Sequence, residues 1–268
     1  MEPARRSPLG SRAPFGGRRF PYLANLVEFE ALPSTNDFGK QLADRLLGDG
    51  TELRPTVIVA RRQTAGRGRS SRAWTDVGGT GLSVSLLLPW PAETARVRLP
   101  LTLGVLLAAG LTRRFGLEVR LKWPNDLVVG RRKLGGILVE ARSGDEGEGY
   151  AVAGLGMNVR STREELDAAG LFRATSLAAE GVAAERCIHD DVLAAVLSIL
   201  DEGLAAPWPE LPAAFEAVSA HRLGEALTVT DAGRETSGTY LGVTADGFLR
   251  LGTADGIENV LSGDVAPF

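Results

Sequence analysis

Apolar residues recur at helical spacing in several parts of the chain. Phe38, Leu42 and Leu46 follow a polar stretch, which predicts an amphipathic helix. Ser34 is its expected N-cap, with Asp37 three residues later in a capping-box-like position. The segments with a helical pattern are residues 38–46, 99–115, 191–204 and 213–218.

Six short segments before residue 160 have strand patterns. They cover residues 56–60, 81–88, 119–122, 127–129, 136–140 and 150–154. Residues 81–88 alternate, with Leu82 and Val84 on one side and Ser83 and Ser85 on the other, which predicts a half-buried strand. Strands interspersed with helices, without strict βαβ alternation, predict an α+β fold with a mixed sheet.

The pattern changes after His221. Short strand-like runs at residues 226–230, 236–243, 248–251 and 257–261 are separated by turn signals such as Asp246-Gly247. We expect a small β-barrel that needs the larger domain for its stability. The predicted organisation is a disordered N-terminal tail at 1–21, rich in Arg, Pro and Gly, a catalytic domain at 22–220 and a C-terminal unit at 221–268.

Composition narrows the function classes. The 30 Lys and Arg residues against 33 Asp and Glu give a net charge of −3, which argues against a protein built to coat DNA or an anionic membrane. Cys187 is the only cysteine, and His189 and His221 are the only histidines, so disulfide and zinc-hydrolase chemistry lack residues and we treat all three as structural. The longest uncharged apolar stretch, 99–112, is shorter than the roughly 18–20 residues of a bilayer span. We expect a cytoplasmic protein.

The segment 61–74 stands out, because it holds five arginines, two glycines and no acidic residue directly after a strand. Glycines let a ligand approach the backbone, and guanidinium groups bind phosphate or carboxylate oxygens in pairs. The segment lacks the P-loop pattern, and Ser71 stands where a dinucleotide fingerprint has its third glycine. On its own the segment also fits a solvated basic loop or a nucleic-acid patch.

Three further clusters carry polar or small residues at strand ends. They are Lys122-Trp123-Pro124-Asn125-Asp126, Lys133-Leu134-Gly135-Gly136 and Gly154-Leu155-Gly156-Met157-Asn158. The first can place a lysine, an amide and a carboxylate together, and the second puts a lysine where the backbone is open to a ligand. Each cluster taken alone also fits an ordinary turn or hairpin return.

Together, and in this order, the clusters resemble the biotin protein ligases. The motifs that carry the resemblance, across roughly residues 26–158, are Ser34-Thr35-Asn36, Gly66-Arg67-Gly68-Arg69, Arg72-Ala73-Trp74, Lys122 to Asp126, Lys133 to Gly136 and Gly154 to Asn158. The resemblance implies a mixed-sheet catalytic domain of the class II synthetase-like kind, followed by a small SH3-like barrel. It implies an enzyme that uses ATP and Mg²⁺ to convert biotin to biotinyl-5'-AMP and then transfers biotin to one lysine of a biotin carboxyl carrier domain.

The resemblance also implies roles for individual residues. For biotin they are Ser34, Thr35, Asn36, Gln63, Gly66, Arg67, Lys133 and Gly136. For ATP and the adenylate they are Arg69, Arg72, Trp74, Lys122, Asn125 and Asn158. Lys133, Arg67, Asp126 and Lys122 are the expected catalytic residues. No direct metal cluster is expected, and Mg²⁺ would arrive with ATP, with Asp126 as its contact.

Two features limit the resemblance. Family members often have a glycine where Ser71 stands, which bears on how the loop retains the adenylate. Only about 20 residues precede the catalytic region, so we expect a monofunctional enzyme without a DNA-binding domain. A lipoate or octanoyl ligase or transferase of the same fold is the alternative enzyme, and an RNA- or nucleotide-binding module is the alternative from another class.

Overall fold

The computed structural model describes residues 5–8, 20–89, 92–143, 149–207 and 210–267. Its helices are α1 (Thr35–Gly48), α2 (Ala92–Phe115), α3 (Arg163–Ala168), α4 (His189–Ala205) and α5 (Leu211–Val218). The first eight strands are β1 (Arg5–Pro8), β2 (Asn25–Leu32), β3 (Thr56–Gln63), β4 (Leu82–Pro89), β5 (Val119–Lys122), β6 (Asp126–Val129), β7 (Arg132–Ser143) and β8 (Gly149–Met157). The last five are β9 (Ala226–Asp231), β10 (Arg234–Val243), β11 (Leu249–Thr253), β12 (Gly256–Val260) and β13 (Asp264–Ala266).

The first eight strands form one mixed sheet in the order β1-β2-β3-β4-β8-β7-β6-β5. Only the β2–β3 pairing is parallel among these neighbours. The last five strands form an antiparallel sheet in the order β12-β11-β10-β9-β13. The predicted α+β class with a mixed sheet and a small C-terminal β unit is therefore confirmed.

Apolar side chains cover both faces of the large sheet. On one face α1 packs over a small core that includes Ile58 and Val152. On the other face α2, α4 and α5 pack over a larger core, which continues into the C-terminal sheet through Leu227 and Tyr240. The C-terminal sheet is thus joined to the large sheet by shared apolar packing, as its size demands.

Strand β4 is buried on both faces, so the prediction of a half-buried strand is wrong. Ser83 and Ser85 are 2% and 0% exposed, because α1 covers the face that their alternation predicted to be open to solvent. Their hydroxyl groups are satisfied by hydrogen bonds to neighbouring polar side chains, which is how polar groups are accommodated in a core.

The N-terminal prediction also needs a correction. Residues 5–8 pair with β2 as an edge strand, where a disordered tail was expected. Backbone hydrogen bonds to a sheet edge need no apolar side chain, so composition gave no signal for this strand. Residues 1–4 and 9–19 of that predicted tail lie outside the described residues.

Strand β2, helix α3 and strand β13 were not predicted. Helix α3 begins with a capping box in which Thr162 and Glu165 satisfy each other's backbone N–H groups, a signal present in the sequence.

Among the helices that the structure describes, none has the length and apolar character to cross a bilayer.

Candidate functional site

A cavity of about 150 Å³ opens at the N-terminus of α1, where β3, β7 and β8 meet the loop after β3. Its walls include Ser34, Thr35, Asn36, Gln63, Arg67, Arg69, Arg72, Trp74, Asn125, Asp126, Lys133 and Gly136. These residues come from four separate motifs, and the fold brings them to one place. Val84, Ile137, Leu138, Leu155 and Asp264 also line the cavity.

One end of the cavity is a neutral polar network. Ser34 caps α1, with its Oγ accepting from the backbone N of Asp37 at 3.4 Å. Thr35 donates from its N and its Oγ1 to Oε1 of Gln63, at 2.8 and 3.1 Å. Ser85 Oγ lies 2.7 Å from both Thr35 Oγ1 and Asn36 Oδ1. Donors and acceptors are therefore held in fixed positions at this end.

Two glycines of β8 make room for the walls. A Cβ at Gly154 would lie 2.3 Å from Oδ1 of Asn36, and one at Gly156 would lie 2.5 Å from Cε2 of Trp74. Side chains at these positions would displace Asn36 and Trp74 from the sheet. The Gly-x-Gly spacing is thus required by close packing at the cavity.

The loop after β3 folds back on itself as a small hairpin. Arg67 and Ala73 form an isolated bridge, and Trp74 N donates to Gly66 O at 2.9 Å. Ser70 and Ser71 at the tip have φ angles of 52° and 59°, in the left-handed region. Ser71 therefore occupies a conformation in which glycine carries no steric penalty.

The arginines of this loop contact acidic and amide groups from elsewhere in the chain. Nη2 of Arg67 lies 2.6 Å from Oδ1 of Asp37 and 2.9 Å from Oε2 of Glu140. Arg69 donates from Nη1 to Oδ1 of Asn125 at 3.0 Å. The loop itself has no acidic residue, so its countercharges are supplied by α1, by β7 and, for Arg72, by the C-terminal sheet.

The pKa values of three groups at and around the cavity, Glu140, Arg69 and Lys122, follow from their burial and their contacts. Burial would raise the pKa of Glu140, but hydrogen bonds from Lys40 and Asn36 outweigh it and lower that pKa. Burial lowers the pKa of Arg69, whose guanidinium nevertheless stays protonated at any physiological pH. Burial also lowers the pKa of Lys122, against the opposing charge of Asp126.

A lysine and a carboxylate contact each other at the cavity wall formed by β6 and β7. Lys133 Nζ lies 2.6 Å from Asp126 Oδ1, and a Cβ at Gly136 would lie 3.2 Å from each of these atoms. Asn125 donates from Nδ2 to the carbonyl oxygen of Ile137 at 2.8 Å, which leaves its Oδ1 for Arg69. The predicted turn thus brings its amide and carboxylate into the cavity.

Three predicted site residues stand outside the cavity wall. Lys122 pairs across β5 and β6 with Asp126, one strand further out. Gly66 packs against the backbone of Trp74, since a Cβ at Gly66 would lie 2.9 Å from the carbonyl oxygen of Trp74. Asn158 is buried and donates from Nδ2 to the carbonyl oxygen of Thr175 at 2.9 Å, so it holds the segment after α3 against β8.

Sequence reasoning missed several residues that line the cavity or contact its walls. Ser85 was assigned to an exposed face, and Glu140 was seen only as the end of a strand. Asp37 follows the Ser34-Thr35-Asn36 motif directly, so its approach to the arginine loop had a local signal. Asp264 had none, because 192 residues separate it from Arg72.

The described residues contain no group of three or more His, Cys, Asp or Glu side chains arranged to hold a metal ion. Cys187 is buried, His189 contacts Arg61 and Asp190, and His221 contacts Glu225, all away from the cavity.

Comparisons with known proteins find relatives for both the large sheet and the C-terminal sheet. Residues 29–158 match the biotin/lipoate A/B protein ligase family, and residues 223–266 match the biotin protein ligase C-terminal domain. The chain is 27% identical over 250 residues to the bifunctional ligase/repressor BirA of Bacillus subtilis, covering 90% of this chain and 73% of that protein. It is 34% identical over 157 residues to the biotin–[acetyl-CoA-carboxylase] ligase of Mycobacterium tuberculosis, covering 50% of this chain and 49% of that protein.

Solved structures of biotin protein ligases are also similar to this chain. The biotin protein ligase of Aquifex aeolicus in complex with biotin and ATP is similar to this chain with a TM-score of 0.68 and 28% identity. The similarity covers 90% of this chain and 97% of that one, so it includes both sheets.

Proposed function

Because the chain belongs to the biotin protein ligase family, we propose that it joins biotin to ATP as biotinyl-5'-AMP and transfers the biotinyl group to a lysine of a carrier domain. One observation carries the proposal: a single cavity has a neutral polar network at one end and arginine and lysine side chains at the other. Biotin has the matching asymmetry, with an uncharged ureido ring at one end and a carboxylate at the other.

The polar end suits the ureido ring. A buried urea group needs a partner for each donor and acceptor, and Ser34, Thr35 and Gln63 supply both kinds. Asn36 extends this network, and the backbones of Arg67 and Gly136 complete our assignment for biotin. Gly66 supports them from outside the wall, since its carbonyl oxygen accepts from Trp74 N and so closes the loop. Burial of the four-methylene tail against apolar walls such as Val84 and Leu155 contributes about 3 kcal/mol, at about 0.8 kcal/mol per methylene.

The cationic end suits the chemical step. A carboxylate oxygen of biotin attacks the α-phosphorus of ATP, and the bond to pyrophosphate breaks. Two anions must approach each other, and charge-assisted hydrogen bonds of about 1.5–3 kcal/mol each offset their repulsion. We assign this role to Arg69 and Arg72 at the phosphates and to Lys133 and Arg67 at the reacting carboxylate.

The remaining assignments concern the nucleotide. We assign Trp74 to the wall that packs on the nucleotide and Asn125 to the positioning of Arg69. Lys122 contributes positive charge from one strand beyond Asp126, and Asn158 supports the nucleotide side through the segment that it holds.

Magnesium fits this site as a companion of ATP. Mg²⁺ is commonly held by one or two carboxylates together with substrate phosphates and water, so a single carboxylate in the wall suffices. We assign this role to Asp126, which lines the cavity. When bound, the ion would neutralise phosphate charge and orient the triphosphate.

The second step needs a partner protein. The amine of the carrier lysine attacks the acyl carbon of biotinyl-5'-AMP, the bond to AMP breaks, and the amine loses a proton as the amide forms. We propose a biotin carboxyl carrier domain as this partner and the cytoplasm as the location, where ATP is available and Cys187 stays reduced.

The test is a direct assay for the intermediate. The purified protein is mixed with Mg²⁺, α-labelled ATP and either biotin or lipoate, and the products are separated. We expect labelled biotinyl-5'-AMP and pyrophosphate with biotin and no lipoyl adenylate. Adding a carrier domain should discharge the intermediate and add one biotinyl group to the carrier. Formation of lipoyl adenylate in preference to the biotin product would overturn the assignment.

A further inference from the structure

One end of the C-terminal sheet lies at the cavity. Asp264, the first residue of β13, lines the cavity wall and pairs with Arg72 through both of its oxygens. The contact between Nη1 and Oδ1 measures 3.4 Å, and the contact between Nη2 and Oδ2 is shorter. The carbonyl oxygen of Gly263 lies 3.5 Å from Nη1 of Arg69. The two arginines that we assign to nucleotide phosphates therefore meet a carboxylate and a carbonyl oxygen.

The fold fixes Asp264 in this position. Gly263 has a φ of 141°, and a Cβ there would lie 2.4 Å from Cγ1 of Val229, so the chain turns tightly just before β13. Asp264 is then paired with Thr230 in the sheet. A second contact holds the same sheet to the large domain, since Trp123 donates from Nε1 to the carbonyl oxygen of Gly247 at 3.0 Å.

The contact is ionic but open to solvent. The side chains of Arg72 and Asp264 are 67% and 54% exposed. Burial would raise the pKa of Asp264, but its hydrogen bond with Arg72 and the charges of Arg72 and Arg69 outweigh it and lower that pKa. Asp264 is thus an anion at neutral pH, and an exposed pair of this kind is weak enough for a polyphosphate to displace.

We propose that Asp264 is a positioning residue that holds Arg72 in the nucleotide-free site as a substitute for phosphate, and that the phosphates of ATP replace it. The inference rests on the proposed function, in which Arg72 binds those phosphates. It makes ATP binding a competition between the triphosphate and the end of the C-terminal sheet. Occupation of the nucleotide site then releases β13 from the arginine loop.

The test is Asp264→Asn, which keeps the shape of the side chain and removes its charge. We expect the KM for ATP and the Kd for inorganic pyrophosphate to fall about two- to fivefold, the range set by a weak exposed ion pair. The KM for biotin and the Kd for adenosine should not change, because neither ligand has a phosphate that competes with Asp264 for Arg72. Asp255→Asn, which changes an exposed aspartate in the turn between β11 and β12, is the matched control and should behave as wild type.

A double-mutant cycle separates positioning from general loosening. Arg72→Ala should weaken ATP binding, and Asp264→Asn in that background should have a smaller effect, because only the more distant charges of Arg69 and Lys122 then face Asp264. An unchanged or higher KM for ATP in Asp264→Asn, or an equal gain in the Arg72→Ala background, overturns the inference. Thermal unfolding checks the fold of each variant, and Asp264→Ser replaces Asp264→Asn if the latter unfolds.

These outcomes are distinct from failure of the proposed function. If the wild-type protein forms no biotinyl-5'-AMP, the proposed function is overturned, and the pyrophosphate affinities then decide the inference by themselves. If wild type forms the intermediate and Asp264→Asn binds ATP and pyrophosphate as wild type does, only the inference is overturned.

Discussion

Nζ of Lys133 lies 2.6 Å from Oδ1 of Asp126, at the wall of the cavity that Gly136 leaves open. The two side chains are 41% and 25% exposed, so the pair is reachable from the cavity. A lysine held in this way can exchange its carboxylate partner for the carboxylate of a substrate without leaving its place. The pair therefore fixes where a second carboxylate will be received.

Replacing Lys133 tests that role. Loss of one charge-assisted hydrogen bond of about 1.5–3 kcal/mol predicts that Lys133→Ala forms biotinyl-5'-AMP about 10- to 150-fold more slowly. Arg131→Ala, an exposed cation in the turn between β6 and β7, is the control and should keep the parental rate. Single-turnover measurement with labelled ATP gives both rates. A parental rate in Lys133→Ala would remove this residue from the chemical step.

Gly156 tests how the cavity wall is built. A methyl group there would lie 2.5 Å from the ring of Trp74, so Gly156→Ala must move that ring or the strand. We expect a loss of about 1–3 kcal/mol of unfolding free energy, typical of overpacking, together with a changed tryptophan emission spectrum and weaker ATP binding. Gly48→Ala, with nothing within 4 Å of the added carbon, should leave the emission spectrum and the ATP affinity unchanged. Because Gly48 lies in α1, the unfolding free energy of this variant should rise by about 0.5–1 kcal/mol. A wild-type spectrum and ATP affinity in Gly156→Ala would contradict this packing.

Ser71 tests the strain at the tip of the arginine loop. Its φ of 59° favours glycine and strongly disfavours a β-branched residue. Unfolding free energies should therefore rank Ser71→Gly at or above wild type and Ser71→Val lower by about 1–2 kcal/mol. At Ala73, which is bridged to Arg67 in an extended conformation, valine should be tolerated better than glycine. The same order of stability at both positions would count against a strained tip.

The sequence predicted the elements of the fold well where the apolar pattern was regular. The spacing of Phe38, Leu42 and Leu46 located α1, and the turn signals after His221 located four strands of the C-terminal sheet. Ser85 was misplaced because alternation shows which side of a strand is polar and does not show what covers it. The pairing of residues 5–8 with β2 is a backbone strand pairing, which composition does not reveal.

The cavity could be predicted only where its residues belong to the same local motif. Residues within one motif, such as Asn125 and Asp126, came together because the motif itself folds as a turn. The meeting of Arg72 with Asp264 depends on how two sheets pack, and no local pattern encodes it. The assignment of individual roles in the cavity stays a prediction, which the variants above test.

Glu140 accepts hydrogen bonds from Asn36 and Arg67 of the cavity wall and gives the stability of the protein a pH dependence whose direction can be worked out. Burial opposes the charge of Glu140, but hydrogen bonds from Lys40 and Asn36 and the charge of Arg67 outweigh burial, so its pKa is lowered from the ordinary 4.5. A carboxylate whose pKa is lower in the folded state contributes stability above the ordinary value and loses it as pH falls through the lowered one. We therefore expect the unfolding free energy of wild type to fall below about pH 4.5 more steeply than that of Glu140→Gln, which cannot titrate there. Glu185→Gln, an exposed carboxylate, should follow wild type in denaturant titrations across this window, whereas parallel curves for wild type and Glu140→Gln would show that the network around Arg67 stores no such energy.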